Sequence, residues 1–178
     1  MSKSRAALCA ASVMLLAVFF PCKKTLSIRS RKNPSHRIYS GEALGGFIIS
    51  YTHSVNKGRV RDYYYCSRDG SLTVDKTVFV SYGAGIPEPE ETAGAFFSQA
   101  EDGYSVSHLN RTVGNLFMAV GTVADHSLIA GGTEFFLKDY FPPQTGVLID
   151  VRRVSAADYF LHSLKRRSAK QKIQAGGF

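Results

Sequence analysis

The chain has 178 residues, 44% of them hydrophobic, with nine Tyr, twelve Phe and no Trp. This is enough for one domain with a real core and modest extras. The net charge of +8 is not spread over a fold: residues 1–37 hold eight Lys or Arg and no acid, whereas residues 38–154 hold nine basic and thirteen acidic residues. A folded nucleic-acid domain carries its basic stripe on the fold itself, so no nucleic-acid partner is expected.

Residues 1–22 read as a leader. Lys3 and Arg5 precede an uncharged stretch from Ala6 to Cys22, and Lys23 and Lys24 end it. Its fully apolar part is about 15 residues, short of the roughly 20 that cross a bilayer core. It suits a secretory signal or a short uncleaved anchor, with no Ala-x-Ala site after it. Cys22 follows Phe19, Phe20 and Pro21, which are bulkier than the small residues a lipid-attachment signal needs. The six cations between Lys23 and Arg37 resist export under the positive-inside rule, yet the charged-apolar-charged order favours an extracytoplasmic domain, membrane-anchored or secreted. Residues 23–41 are basic and punctuated by Pro34 and Gly41, and are expected to be a linker, solvated or lying on anionic lipid.

Residues 42–154 read as a series of short strands. Gly46 to Val55 alternates, with Phe47, Ile49, Tyr51 and His53 on one face. Asn56-Lys57-Gly58 predicts a three-residue hairpin loop, and Arg59 to Ser67 its return strand. Leu72 to Ser81 is a third run. Gly83 to Pro87 breaks the pattern, and Glu88 to Asp102 is acidic and irregular. Further runs fall near Tyr104–Leu109, Leu116–Val120, Thr133–Leu137 and Gly146–Val151. This spacing predicts an all-β domain, an antiparallel β-sandwich or barrel. Ile49, Val74, Val78, Leu116, Val120, Val147 and Ile149 are the expected core.

Residues 155–178 predict a short amphipathic helix and a basic tail. Ser155 is a fair N-cap, and Ala157, Phe160, Leu161 and Leu164 make an apolar stripe at helical spacing. The expected role is a flap packed on the sandwich. Of the three Cys, only Cys66 lies in the folded region, where a small buried hydrophobe is the ordinary reading.

The densest group of chemistry-bearing residues is Tyr51-Thr-His-Ser54. Together with Val60, Tyr63 to Tyr65 and Gly83-Ala-Gly-Ile-Pro87, it resembles domain-of-unknown-function family 1850 over roughly residues 45–152. Members are small bacterial proteins with exported-looking amino termini, often encoded beside tripartite ATP-independent periplasmic (TRAP) transporters with TAXI-type receptors. The resemblance therefore implies association with solute uptake, with transporter subunits or a solute receptor as partners. It also implies a departure. Where the family has Pro and a Glu pair in the second strand, this chain has Arg59 and Arg61-Asp62, keeping one carboxylate.

With residues 56–58 as the loop, His53 is expected opposite Arg61, Tyr51 opposite Tyr63 and Thr52 opposite Asp62. The candidate ligand-binding residues are Tyr51, His53, Asp62, Tyr63, Arg111 and His126, around a small carboxylated solute or a partner's acidic loop. Ser54 points away from His53 in a regular strand, and no Gly-x-Ser-x-Gly elbow is present, so no catalytic residue is assigned. Neither a metal site nor a cofactor is assigned, because the other His residues lack ligand spacing. The leading class is an extracytoplasmic accessory or binding module. The alternative is a small hydrolase-like enzyme using His53 with Asp62 or His126.

Overall fold

The computed structural model describes residues 18–81, 93–100 and 103–163. Most of the apolar leader, the Gly83–Pro87 break, Leu164 and the basic residues from Lys165 onward lie outside these. The described residues form two antiparallel sheets that do not close into a barrel. The smaller has the strand order β2 (Arg37–Ser40), β1 (Lys23–Ser30), β12 (Gly146–Val154), β9 (Leu116–Ala119). The larger runs β11 (Thr133–Phe136), β10 (Ser127–Ala130), β3 (Phe47–Thr52), β4 (Arg59–Cys66), β5 (Leu72–Phe79), β7 (Gly103–Ser107), β6 (Phe96–Ala100), with β8 (Arg111–Val113) also on β5. The expected sandwich is therefore the architecture.

The expected linker is not a linker. Its first half is β1, an interior strand paired with β12 from Lys23↔Val154 to Ser30↔Val147 and with β2 from Leu26↔Ser40 to Arg29↔Arg37. Leu26 and Ile28 point into the core and are buried, each such side chain contributing about 1.5–3 kcal/mol. Thr25 and Ser27 on the opposite face are also buried. The flanking charges conceal a period-two pattern that alternates apolar with small polar residues.

The main core joins both sheets through Leu26, Ile28, Phe47, Ile49, Leu128, Val147 and Ile149. A second, smaller cluster of Val60, Phe79 and Val106 lies farther along the large sheet, with no residue of the small sheet in it. Of the expected core, Ile49, Val120, Val147 and Ile149 are buried. Val74, Val78 and Leu116 are only half-buried. Asp75 is skipped in the register where Lys76 pairs with Tyr63 and Val74 with Tyr64, and a bulge of this kind re-aims the strand.

Helix α1 (156–163) covers the outer face of the small sheet. Its packing residues are not the expected apolar stripe. Asp158 accepts from Arg37 at 2.8 Å and from the Tyr39 hydroxyl at 2.7 Å. Tyr159 stacks on Tyr39 with ring centroids 6.3 Å apart, and Ser155 caps the helix through Asp158 N at 3.1 Å. Phe160 and Leu161 remain exposed. The sheet face beneath is polar, so polar and aromatic residues meet it. Burial pushes the Asp158 carboxyl up, but donation from Arg37 and Tyr39 outweighs it and holds the group below its ordinary value.

Gly103 opens β7 at φ +145, and a Cβ there would lie 2.6 Å from the Phe79 carbonyl oxygen. Gly103→Ala must therefore push two paired strands apart. A loss of about 2 kcal/mol or more is expected in urea denaturation, typical of forced backbone strain.

Candidate functional site

The β3–β4 hairpin determines which side chains meet. Its register runs from Phe47↔Tyr64 to Thr52↔Arg59, three residues away from the expected pairing. The connection is wider than residues 56–58: His53 N donates to the Gly58 carbonyl at 2.9 Å, and Lys57 rather than Gly58 takes the left-handed conformation, at φ 58. Asn56 sets this turn. Its Oδ1 accepts from Gly58 N at 3.0 Å, and its Nδ2 donates to the Ser81 carbonyl at 2.9 Å. An odd shift exchanges faces. His53 is not opposite Arg61, and Tyr51 and Tyr63 point to opposite sides of the sheet.

Tyr51, Asp62 and Thr77 come together on the inner face. Thr77 Oγ1 donates to Asp62 Oδ1 at 2.9 Å, and the Tyr51 hydroxyl donates to the same carboxylate. Burial pushes the Asp62 carboxyl above its ordinary range, and the two hydroxyl donors only partly offset this. Burial next to Asp62 also pushes the Tyr51 hydroxyl up to about 12, and Tyr64 higher still. Asp62 is thus a buried carboxyl held between the two apolar clusters, its charged form disfavoured by its surroundings.

His126 joins this group through Tyr51, the ring centroids lying 5.6 Å apart. Its Nδ1 accepts from Gly121 N at 3.1 Å. Burial and the neighbouring Arg59 lower its pKa, with Asp125 opposing them. Arg59 crosses the outer face, donating to the Asp125 carbonyl at 3.1 Å and Ser127 Oγ at 3.1 Å. Arg111, the first residue of β8, pairs with Val74 of β5 and is exposed; its charge is felt at Tyr64. His53 stands apart, in the hairpin loop, with Nδ1 accepting from Val55 N at 3.3 Å. Asp62 pairs with Ile49, four residues from His53, or roughly 13 Å of strand. Among the described residues, no group of three or more His, Cys, Asp or Glu is placed to hold a metal ion.

Tyr63 belongs to a different feature. It lies with Ile48 and Ile129 in one cross-strand row on the outer face. At the end of this row a shallow groove of about 410 Å³ is lined by Gly45, Gly46, Phe47, Ile48, Tyr63, Tyr64, Ile129, Ala130, Gly131 and Gly132. The Lys76 ammonium sits 5.7 Å from the Tyr63 ring centroid, and Glu42 lies against Gly131. Gly131 and Gly132 adopt φ 55 and 71, and a Cβ on Gly131 would meet Glu42 Oε2 at 2.9 Å. A side chain on Gly131 would therefore disturb both the turn and the rim. Sequence reasoning missed Ile48, Tyr64, Thr77 and Ile129. The available signal was the pair of Gly-Gly dipeptides, Gly45-Gly46 and Gly131-Gly132, which face each other across the groove.

These features define an antiparallel β-sandwich with an open, glycine-rimmed groove and a buried carboxylate behind one wall. The family model for Domain of unknown function (DUF1850) matches residues 47–137, and the chain belongs to that family. The match starts at the first residue of β3 and ends at Leu137, just after β11, spanning both the groove strands and the Asp62 group. Neither curated proteins nor solved structures yield a match to the chain.

Proposed function

We propose that this chain is an extracytoplasmic accessory module, held at the outer face of the cytoplasmic membrane by its apolar amino terminus. It docks on a subunit or solute receptor of a TRAP-type transporter through the groove of Ile48, Tyr63, Tyr64 and Ile129. The groove carries this reading: it is concave, open to solvent, apolar at its walls and made of bare backbone at its glycine rim. Its volume lies in the range of ligand sites, and its shallow form suits a polypeptide loop better than an enclosed solute. The titratable groups favour docking over turnover. Asp62 accepts from Thr77 and Tyr51, and His126 Nδ1 from Gly121 N, all inside the fold.

Burying Ile129 and Tyr63 against a partner contributes about 1.5–3 kcal/mol for each side chain. Ile129→Glu and Tyr63→Ala, tested singly, should therefore reduce capture of the transporter's subunits by tagged protein by about tenfold or more, with the melting temperature kept. Undiminished capture by both folded variants would remove the groove from this role.

A further inference from the structure

We infer that the end of the sandwich carrying Lys23, Lys24, Arg68, Arg152 and Arg153 lies flat against an anionic bilayer surface. The inference rests on the membrane-held reading above and adds an orientation to it. Val18, Phe19 and Phe20 are 42%, 63% and 67% exposed, three apolar residues in a row that present their side chains to solvent. Only Pro21 and Cys22 separate them from β1. Three peptide steps reach at most about 10 Å, and β1 is held on both sides by β12 and β2. The chain has no slack here. Wherever residues 18–20 insert, the Lys23 end of the small sheet follows.

That end is basic. Lys24 pairs with Arg153 and Thr25 with Arg152. Lys24 Nζ donates to the carbonyls of Ser67 at 3.2 Å and Arg68 at 2.9 Å, which brings the β4–β5 turn to the same end. Arg153 donates to the Cys22 carbonyl at 3.4 Å, and Lys23 Nζ lies 3.7 Å over the Tyr159 ring. The acid in the β4–β5 turn, Asp69, accepts from Ser71 N and Oγ at 2.9 and 2.8 Å. Arg152 Nε also lies 3.5 Å from Asp150 Oδ2, so five cations stand against two carboxylates, a positive balance that matches an anionic headgroup layer. The exposed Phe160 and Leu161 lie on the helix that leaves this end. Arg31 and Lys32 make the far end of β1 basic too, so the chain connection, not charge alone, selects the face. β1 places those two ends about 26 Å apart.

The test uses the full chain in phosphatidylcholine vesicles doped with a photoactivatable phosphatidylglycerol, after flotation, with adducts mapped by peptide mass spectrometry. Adducts are expected on peptides bearing residues 18–24, 67–70 and 152–154, and not on residues 31–36. They should fall several-fold when the photoactivatable lipid is phosphatidylcholine instead. Co-flotation with adducts confined to residues 1–20, or equally strong on residues 31–36, overturns the orientation while leaving membrane attachment standing. Adducts indifferent to the headgroup overturn the anionic match. A chain that does not float with vesicles overturns both this inference and the membrane-held reading.

Discussion

A chain shortened to begin at Cys22 is expected to keep the sandwich, and one shortened to begin at Gly41 is expected to lose it. The second lacks β1 and β2, and with them Leu26, Ile28 and Ile38 from the main core. β1 is the middle partner of β2 and β12, so its removal strands the edge of β12 as well as opening the core. Three large apolar side chains at about 1.5–3 kcal/mol each already equal much of the roughly 5–15 kcal/mol that holds a domain folded. The milder Ile28→Ala should cost about 2–5 kcal/mol, as buried Ile-to-Ala changes do. Urea denaturation followed by circular dichroism separates the cases. A cooperative transition in the chain beginning at Gly41 would contradict the assignment of β1 to the core.

The two substitutions Asp62→Asn and Asp62→Ala are expected to act in opposite directions at neutral pH. Burial raises the Asp62 carboxyl above its ordinary value of 3.8, so the folded state holds the proton more tightly than the unfolded state. The resulting stability is fully present below 3.8 and is lost as pH rises through the raised value. Asp62→Asn keeps the shape and an acceptor without the charge. Its melting temperature should exceed that of the native chain at neutral pH, and the difference should shrink as pH falls toward 3.8. Asp62→Ala leaves the Thr77 and Tyr51 hydroxyls without their acceptor and should cost about 1–3 kcal/mol. An Asn variant as destabilised as the Ala variant at neutral pH would show that the charge itself is needed for folding.

The strands β3, β4, β5, β7, β9, β11 and β12 are legible because alternation and turn residues agree there. β1 is not, because Lys23, Lys24 and Arg29 surround Leu26 and Ile28, and both faces of the strand are buried under different partners. β6 sits inside the acidic stretch from Glu88 to Asp102, where Phe96-Phe97 is only a short apolar patch, and β10 is wedged between Asp125 and Gly131-Gly132, which read as separators. Helix α1 inverts the amphipathic rule: it packs on Arg37 and Tyr39, so Asp158 and Tyr159 face inward and Phe160 faces out. The candidate site fared in the same way. The right residue types were visible in the hairpin, but the turn made by Asn56 sets the register, and the register decides which ones meet. Tyr51 therefore joins Asp62 and His126, while Tyr63 joins a groove on the other face.

A photo-crosslinking amino acid placed at Ile129, in living cells carrying the transporter, reports most directly on the docking claim. Ile129 lines the groove and is half-buried on the outer face, so substitution there should leave the core intact. The expected result is a covalent adduct with a transporter subunit or its solute receptor, identified by mass spectrometry and lost when Tyr63→Ala is added. A folded, membrane-held protein that gives no such adduct from Ile129 or from Ile48 would contradict the groove as a docking site.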